Sequence, residues 1–584
     1  MTIEEVLQLK DVTFTYLYSQ KPSLKNINLT LNKGEFLVVL GIPTAGKTTL
    51  LMTLNALIPN YVNGTLEGDV IVGGVNTKDS EEILATRVGL TFEDPDRQIV
   101  MLTVEDDLEF GPANLGLERE EIEKRVDEVA ELMGLSLMKT RNPRTLSGGQ
   151  KQCLVIGGVL AMETQILALD EPLCMLDPVG KKRVLSSLRT LKEKGISIIL
   201  TESGIDLDDI IEFADRLVVL YDGEKLLDGP PREVLTNEEV FTKAHMLIPQ
   251  LSRFAIQSGD KNPDTLPINV EEATQYVINK LNKKKLSSDV KRYKVETKKK
   301  KKSKEPIIHV SNVRHTYDAY PPVEALKGVS LDIYPQEFVG LIGQNGSGKT
   351  TLSYHLVKLL SPANKDAEIT VGGVDVVSSN LQQVIEHINY VFQNPDHQFF
   401  CESVREEIDY GLVQKNLPPE EIERIRNEVC EKLGIMDILD EYVMDLSREK
   451  KMYLALASVL VLDPEVIIVD EPTTGLDYYG SLQVMNILKD LNEKEGKTII
   501  VISHNMSMIS QFCERIIVMS DGLVILDDST REVFCKPEVL EKAWITPPPI
   551  CQVAQNLEEY GFPPDILSPE EMYDLMNPEL RREE

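Results

Sequence analysis

The chain has 584 residues, more than a single hydrophobic core organises, so at least two domains are expected. Its 42% hydrophobic and 27% charged residues fit a globular protein and exclude a disordered or collagenous one. A formal charge of −32 repels phosphate backbones and anionic lipid headgroups over most of the surface, so nucleic acid is not an expected partner.

The N-terminal stretch MTIEEVLQLK lacks the basic and apolar runs of a signal peptide. No apolar run reaches the roughly 18–20 residues of a spanning helix. Seven scattered cysteines without a CxxC pair predict free thiols in a reducing compartment. Apolar runs at residues 37–40, 166–169 and 196–200 predict strands buried on both faces. Their alternation with helical stretches predicts an α/β domain with a largely parallel sheet.

After the first run comes GIPTAGKT, residues 41–48, a G-x-x-x-x-G-K-[ST] loop. Backbone N–H groups of such a loop, around Gly41 and Gly46, surround phosphates at the start of a helix. Its Lys47 is expected to reach the β- and γ-phosphates and its Thr48 hydroxyl to hold Mg²⁺. LSGGQ follows at residues 146–150, where Gly148 and Gly149 let backbone approach a phosphate and Ser147 can donate to it. The next apolar strand ends on Asp170, expected at the Mg²⁺ shell, and Glu171, a candidate general base for the attacking water.

Residues 282–306 are Lys-rich and almost free of aliphatics, so they read as an exposed linker. The alternative is that the five lysines 298–302 touch anionic lipid or RNA. Beyond them the pattern returns. Lys47 recurs as Lys349 after 302 residues, within GQNGSGKT (Gly343, Gly346, Gly348, Lys349, Thr350). FEDPDRQ at 92–98 recurs as FQNPDHQ at 392–398, and Asp170 and Glu171 recur as Asp470 and Glu471, each 300 residues on. Glu233 in LDGPPREVL matches Glu532 in LDDSTREVF, 299 residues on. Two homologous domains are expected, not a solenoid. The predicted division is a first cassette at 1–245, an accessory segment at 246–281, the linker at 282–305, a second cassette at 306–538 and an extension at 539–584.

LSGGQ just before the Asp-Glu strand resembles the signature of ABC ATPases, and the resemblance spans about residues 6–235 and 307–534. It implies two P-loop NTPase domains, each a mainly parallel sheet core with an antiparallel β subdomain and a helical signature subdomain. It also implies ATP and Mg²⁺ as cofactors, and cassettes that pair head to tail within the chain. Each ATP would then lie between one cassette's phosphate loop and the other's signature, Ser147, Gly148, Gly149 and Gln150 in the first half. By the same resemblance Tyr16 and Tyr317 stack on adenine, Thr49 and Thr351 complete the nucleotide-binding set, and Asp177 and Asp477 are the D-loop aspartates. Gln393 joins Thr350 and Asp470 around Mg²⁺, and His504 acts beside Glu471. The alternative for the tyrosines is half-buried strand aromatics.

FQNPDHQ, TVEDDLEFGPANLGL and the tail segments resemble the ATPase of energy-coupling factor importers, which take up vitamins or transition-metal ions. That implies an integral membrane scaffold, a small substrate-binding membrane protein and a place on the cytoplasmic face of the cell membrane. Scaffold helices would dock at residues 94–101 and 394–401, where Ile99, Val100, Phe399 and Phe400 follow the Q-loop, unless those four are core. The rival readings are a soluble tandem ABC protein acting on ribosomes or nucleic acid, and the ATPase of an exporter with separate membrane subunits. The charge of −32 and the lack of an Fe–S cysteine cluster argue against the first rival.

The halves differ. Gln393 is matched by Glu93, His504 by Ser203 beside Glu202, and Gly346 by Thr44, while LSGGQ is matched by LSREK at 446–450. Head-to-tail pairing gathers every departure into one composite site and leaves the other complete. One fast hydrolytic site is expected, with a second that binds ATP but turns over slowly; the alternative is that these loops have drifted without consequence.

Overall fold

Apolar residues alternate along the first strand, β1 (Glu5–Tyr16), yet the buried parity changes from Leu7 and Leu9 to Val12 and Phe14. A bulge between Leu9 and Val12, with Asp11 at φ 51°, supplies the extra residue that keeps both pairs on the core face. The second half repeats the device in β11 (Ile308–Tyr317), between Val310 and Val313 with Asn312 at φ 49°.

The computed structural model describes residues 4–79, 84, 86–174, 176–205, 207–281, 286, 305–318 and 322–577. They form two compact units, Met1–Asn279 and Lys280–Glu584. In the first, β1 lies in a four-stranded antiparallel sheet between β2 (Leu24–Asn32) and β4 (Gly64–Val72), with β5 (Val75–Asn76) at the edge. The second sheet has the order β10-β9-β3-β8-β7-β6, built from β3 (Phe36–Leu40), β6 (Val88–Thr91), β7 (Ile166–Asp170), β8 (Ser197–Glu202), β9 (Arg216–Tyr221) and β10 (Glu224–Gly229). All its pairings are parallel except β9 with β10. β3, β7 and β8 are buried along their whole length, as strands covered on both faces must be.

The second unit repeats this with β11, β12 (Val323–Ile333), β14 (Glu368–Val371) and β15 (Val374–Asp375) in one sheet. Its parallel core holds β13 (Phe338–Ile342), β16 (Ile388–Val391), β17 (Val466–Asp470), β18 (Thr498–Ile502), β19 (Arg515–Ser520) and the antiparallel edge β20 (Leu523–Ser529). Helices Val104–Asn114, Arg119–Leu132 and Gly148–Leu160 make a helical subdomain in the first unit, and Val404–Gln414, Pro419–Leu433 and Arg448–Leu460 its counterpart. The expected α/β architecture is present twice.

The repeat also runs through both tails. Helix Gln250–Gln257 corresponds to Pro549–Asn556, and Val270–Lys280 to Pro569–Met576. In the first unit Arg232 donates to Glu272 Oε1 at 2.8 Å and to the Leu266 carbonyl. In the second Arg531 grips both oxygens of Glu571, at 2.5 and 3.1 Å, and the Asp565 carbonyl at 2.6 Å. As far as residue 577, the final segment is thus a folded part of its unit. Of the Lys-rich stretch, Leu286 donates its N–H to the Tyr560 carbonyl at 2.9 Å, while lysines 298–302 lie outside the described residues.

Candidate functional site

In each unit the phosphate loop joins a buried strand, β3 or β13, to a helix, Lys47–Leu54 or Lys349–Leu356. Gly46 and Gly348 precede those helices at φ 100° and 103°, where a Cβ would meet a backbone oxygen at 2.5 or 2.7 Å. Only glycine fits. No side chain caps either helix, so its first N–H groups are available to an anion. Both lysines lie across their own loops. Lys47 Nζ donates to the carbonyls of Gly41 (2.5 Å) and Ile42 (3.0 Å), and Lys349 Nζ to those of Gly343 (2.6 Å) and Gln344 (2.8 Å).

Thr48 Oγ1 donates to Asp170 Oδ2 at 2.5 Å, and Thr350 Oγ1 to Asp470 Oδ2 at 3.2 Å. A hydroxyl facing a carboxylate is an oxygen donor set that suits Mg²⁺, whose remaining positions phosphates and water can fill. Different neighbours steady the two aspartates. Thr201 donates to Asp170 Oδ1 at 2.7 Å, whereas the Tyr390 hydroxyl donates to Asp470. Burial pushes the Asp470 carboxyl up, against the hydrogen bonds from Tyr390 and Thr350.

Glu171 and Glu471 follow at φ 42° and 48°. Non-glycine residues held there cost of order 1–3 kcal/mol and cluster at functional sites. Their partners differ. Glu171 Oε1 lies 3.0 Å from Lys47 Nζ. Glu471 Oε1 lies 3.4 Å from His504 Nε2, its Oε2 accepts the His504 N–H at 3.3 Å, and Asn345 Oδ1 lies 3.0 Å from the same imidazole nitrogen. Strand register identifies the counterpart of His504. Asp170 faces Thr201 and Asp470 faces Ile502, so Ser203 and His504 each stand two residues beyond equivalent points.

Gln393 is exposed after β16, whereas Glu93 is half-buried after β6 and accepts from Cys174 Sγ at 3.5 Å. Burial pushes the Cys174 thiol well up, and Glu93, Glu171 and Glu202 add to it. Thr44 adopts φ 73°, close to the 78° of its counterpart Gly346. The Tyr16 hydroxyl meets Thr49 Oγ1 at 2.9 Å and the Tyr317 hydroxyl meets Thr351 Oγ1 at 3.2 Å. Tyr317 is 40% exposed, while Tyr16 packs partly on the core.

Ser147 caps helix Gly148–Leu160, with Gln150 closing a capping box, so its hydroxyl hydrogen stays available to a ligand. Ser447 caps helix Arg448–Leu460, but Lys450 cannot return the bond. Arg448 Nε donates to the Thr474 carbonyl at 2.8 Å and Tyr453 donates to Glu449 Oε1 at 3.0 Å, so both replacements are engaged inside their own unit. Asp177 and Asp477 each accept the N–H of Gly180 or Gly480 at 2.7 Å and cap the next helix.

Beyond the Q-loop, Val100 is 60% and Phe400 63% exposed, whereas Ile99 and Phe399 are partly buried and Phe399 packs on the core. Sequence reasoning missed what shapes these segments. Asp107 Oδ1 accepts from Val100 and Met101 N–H at 2.9 and 3.0 Å, and Glu407 Oε2 accepts from Phe400 and Cys401 at 3.0 and 2.9 Å. The visible signal was a carboxylate at matched positions in DDLEF and EEIDY. Among the described residues no helix is long and apolar enough to cross a membrane.

The family model described as ABC transporter matches residues 24–174 and 326–474, which contain both phosphate loops and both Asp-Glu strand ends. A Methanosarcina mazei protein carrying the name of an ABC transporter ATP-binding protein is 36% identical over 99% of this chain and 99% of its own. The chain belongs to the ABC transporter family. A relative of the same description from Caldanaerobacter subterraneus is 35% identical over 97% of each chain, so the tandem length is shared. A solved Clostridium perfringens protein, cbiO1, described as part of the ABC transporter complex cbiONQ, is 33% identical over 41% of this chain and 94% of that one, with a TM-score of 0.37. ABC cassettes of this kind bind and hydrolyse ATP, and this chain is an ATPase with two of them.

Proposed function

We propose that this ABC ATPase is the energising subunit of an energy-coupling factor importer for a vitamin or transition-metal ion, with one competent and one slow ATP site. The observation that carries the asymmetry is His504, 3.4 Å from Glu471 at the second phosphate loop, where the first has Ser203. In the competent site Gly343, Gly346 and Gly348 shape the loop, Lys349 binds the β- and γ-phosphates, and Tyr317 stacks on adenine. Thr350, Gln393 and Asp470 would hold Mg²⁺, which supplies charge neutralisation at the phosphates. Glu471 takes the proton of the attacking water, and His504 donates to the γ-phosphate while keeping Glu471 in place. The first unit's Ser147, Gly148, Gly149 and Gln150 complete that site from the opposite cassette. Lys47, Thr48, Asp170 and Glu171 serve the slow site opposite LSREK.

ATP bound by both cassettes draws them together, and phosphate release lets them part. The exposed side chains of Val100 and Phe400 support docking of a membrane scaffold beside the Q-loops, on the cytoplasmic face of the membrane.

Two measurements test this. Ser147→Ala should reduce turnover as Lys349→Ala does, although the residues belong to different units. Intact turnover in Ser147→Ala together with loss in Ser447→Ala would reverse the pairing. Co-purification from membranes with two small hydrophobic proteins is expected, whereas ATPase stimulated by ribosomes would refute the importer assignment.

A further inference from the structure

The first phosphate pocket is far more acidic than the second. Glu202 ends β8 almost fully buried, its carbonyl accepting the Gly41 N–H at 3.1 Å and its Oε1 accepting the Gly204 N–H at 3.2 Å. Its backbone therefore holds the first glycine of the phosphate loop, and its carboxylate lies on the turn that follows, at Ser203 and Gly204. Glu93 approaches from β6, and Cys174, which donates to it at 3.5 Å, lies in the combined field of Glu93, Glu171 and Glu202. With Asp170 that makes four carboxylates, among the described residues, on the strand ends and turns beside the loop. The equivalent positions of the second pocket hold Gln393, Asp470, Glu471 and Ser503, so two of the four are uncharged, and His504 is added.

Lys47 is the cation of the first pocket that a terminal phosphate needs, and it is paired with Glu171 at 3.0 Å, both side chains largely buried. To serve a γ-phosphate, Lys47 must share itself between that group and Glu171. The added phosphate must also bring its charge toward Glu93 and Glu202 in a region poorly screened by solvent. A β-phosphate asks less. The loop's N–H groups and helix start share it with Lys47, and no further charge is brought toward Glu93 and Glu202.

We infer that the first pocket selects a nucleoside diphosphate over the triphosphate, the two added carboxylates and the Lys47–Glu171 pair together opposing the terminal phosphate. This rests on the nucleotide reading of that pocket. Slow turnover there then reflects a preference for product, since ATP must displace ADP before the first pocket can turn over again.

The test is calorimetric, on the full chain with its second pocket disabled by Lys349→Ala. MgADP is expected to bind about tenfold more tightly than the magnesium complex of the non-hydrolysable β,γ-imido analogue of ATP. Adding Glu93→Gln and Glu202→Ser, the types of residue the second pocket holds, should move that ratio about tenfold toward the triphosphate. Should the double variant not fold, Glu93→Gln alone, on the half-exposed loop, should move it about threefold in the same direction. Tighter binding of the triphosphate in Lys349→Ala, or a ratio unmoved by these substitutions, would overturn the inference. Binding of neither nucleotide to Lys349→Ala, with normal binding by Lys47→Ala, would instead overturn the nucleotide reading of the first pocket, and the inference with it.

Discussion

The two phosphate pockets are built on the same strands, the same left-handed glycine before the helix and the same threonine-aspartate pair, yet their glutamates keep different company. Glu471 lies against His504 at 3.4 Å, while Glu171 lies against Lys47 at 3.0 Å. A carboxylate next to an imidazole can take a proton from water while the imidazole donates elsewhere. A carboxylate in close contact with the phosphate-loop lysine competes with the substrate for the same cation. A complete set of phosphate-loop residues is thus compatible with two different settings for the glutamate, and the setting bears on what that carboxylate can do.

The largest effect that could break this comparison is on turnover. Glu471→Gln should lower ATPase activity of the assembled complex about 10³-fold, within the range for losing a general base, and Glu171→Gln less than about threefold. Equal losses would show that the pockets share the work. His504→Ser, which installs the residue type of the first unit, should cost about 10²-fold, as expected for one transition-state donor. If His504→Ser leaves steady-state hydrolysis unchanged, the imidazole is not what separates the pockets.

What the sequence made legible was what lies in short contiguous segments. Phosphate loops, Asp-Glu strand ends and the LSGGQ turn each need a few residue types at fixed spacing, and the near-constant repeat placed Ser203 opposite His504 without coordinates. Contacts set by sheet order were not legible. Cys174 meets Glu93 and Tyr390 meets Asp470 because β6 lies beside β7 and β16 beside β17, and no local pattern links residues 80 or more apart. Arg448 suggested only obstruction of a phosphate, whereas the structure turns its Nε onto the Thr474 carbonyl. The tails were opaque for another reason. Their helices keep the Arg-Glu grip and a side-chain cap, Asn269 or Ser568, while the rest of the surface has diverged.

The comparison extends to acid stability. His355, on the second phosphate-loop helix, is fully buried, its ring 4.8 Å from that of His315, and Thr53 stands at the matching place in the first unit. Burial, with His315 adding, pushes the His355 imidazole down from 6.5 to about 4. The folded unit thus holds the neutral ring while the unfolded chain takes up a proton below about pH 6.5. The stability this preserves is complete above that pH and is lost progressively as pH falls toward 4. Between pH 7.5 and 5 the second unit should lose about 2 kcal/mol by this route. The chain's single tryptophan, Trp544, reports that unit alone in urea titrations. His355→Thr should flatten the pH dependence, and an unchanged slope would remove His355 as its cause.

The smallest effect concerns the loops themselves. Thr44 and Gly346 occupy the same left-handed conformation, φ 73° and 78°, although a β-branched residue pays sterically for it and glycine does not. At Gly346 an added Cβ meets nothing within 4 Å, so the backbone alone sets the cost of a side chain there. Gly346→Thr should therefore destabilise the second unit by about 1 kcal/mol, read from Trp544 fluorescence in urea, and Thr44→Gly should stabilise the first by a similar amount, read from amide exchange in its phosphate loop. The reciprocal signs matter more than the sizes. If Thr44→Gly destabilises its unit, the threonine makes an interaction that repays its strain, and the first loop is specialised in its own right. If the signs are as expected, the first loop carries the strain of Thr44 with no interaction that offsets it.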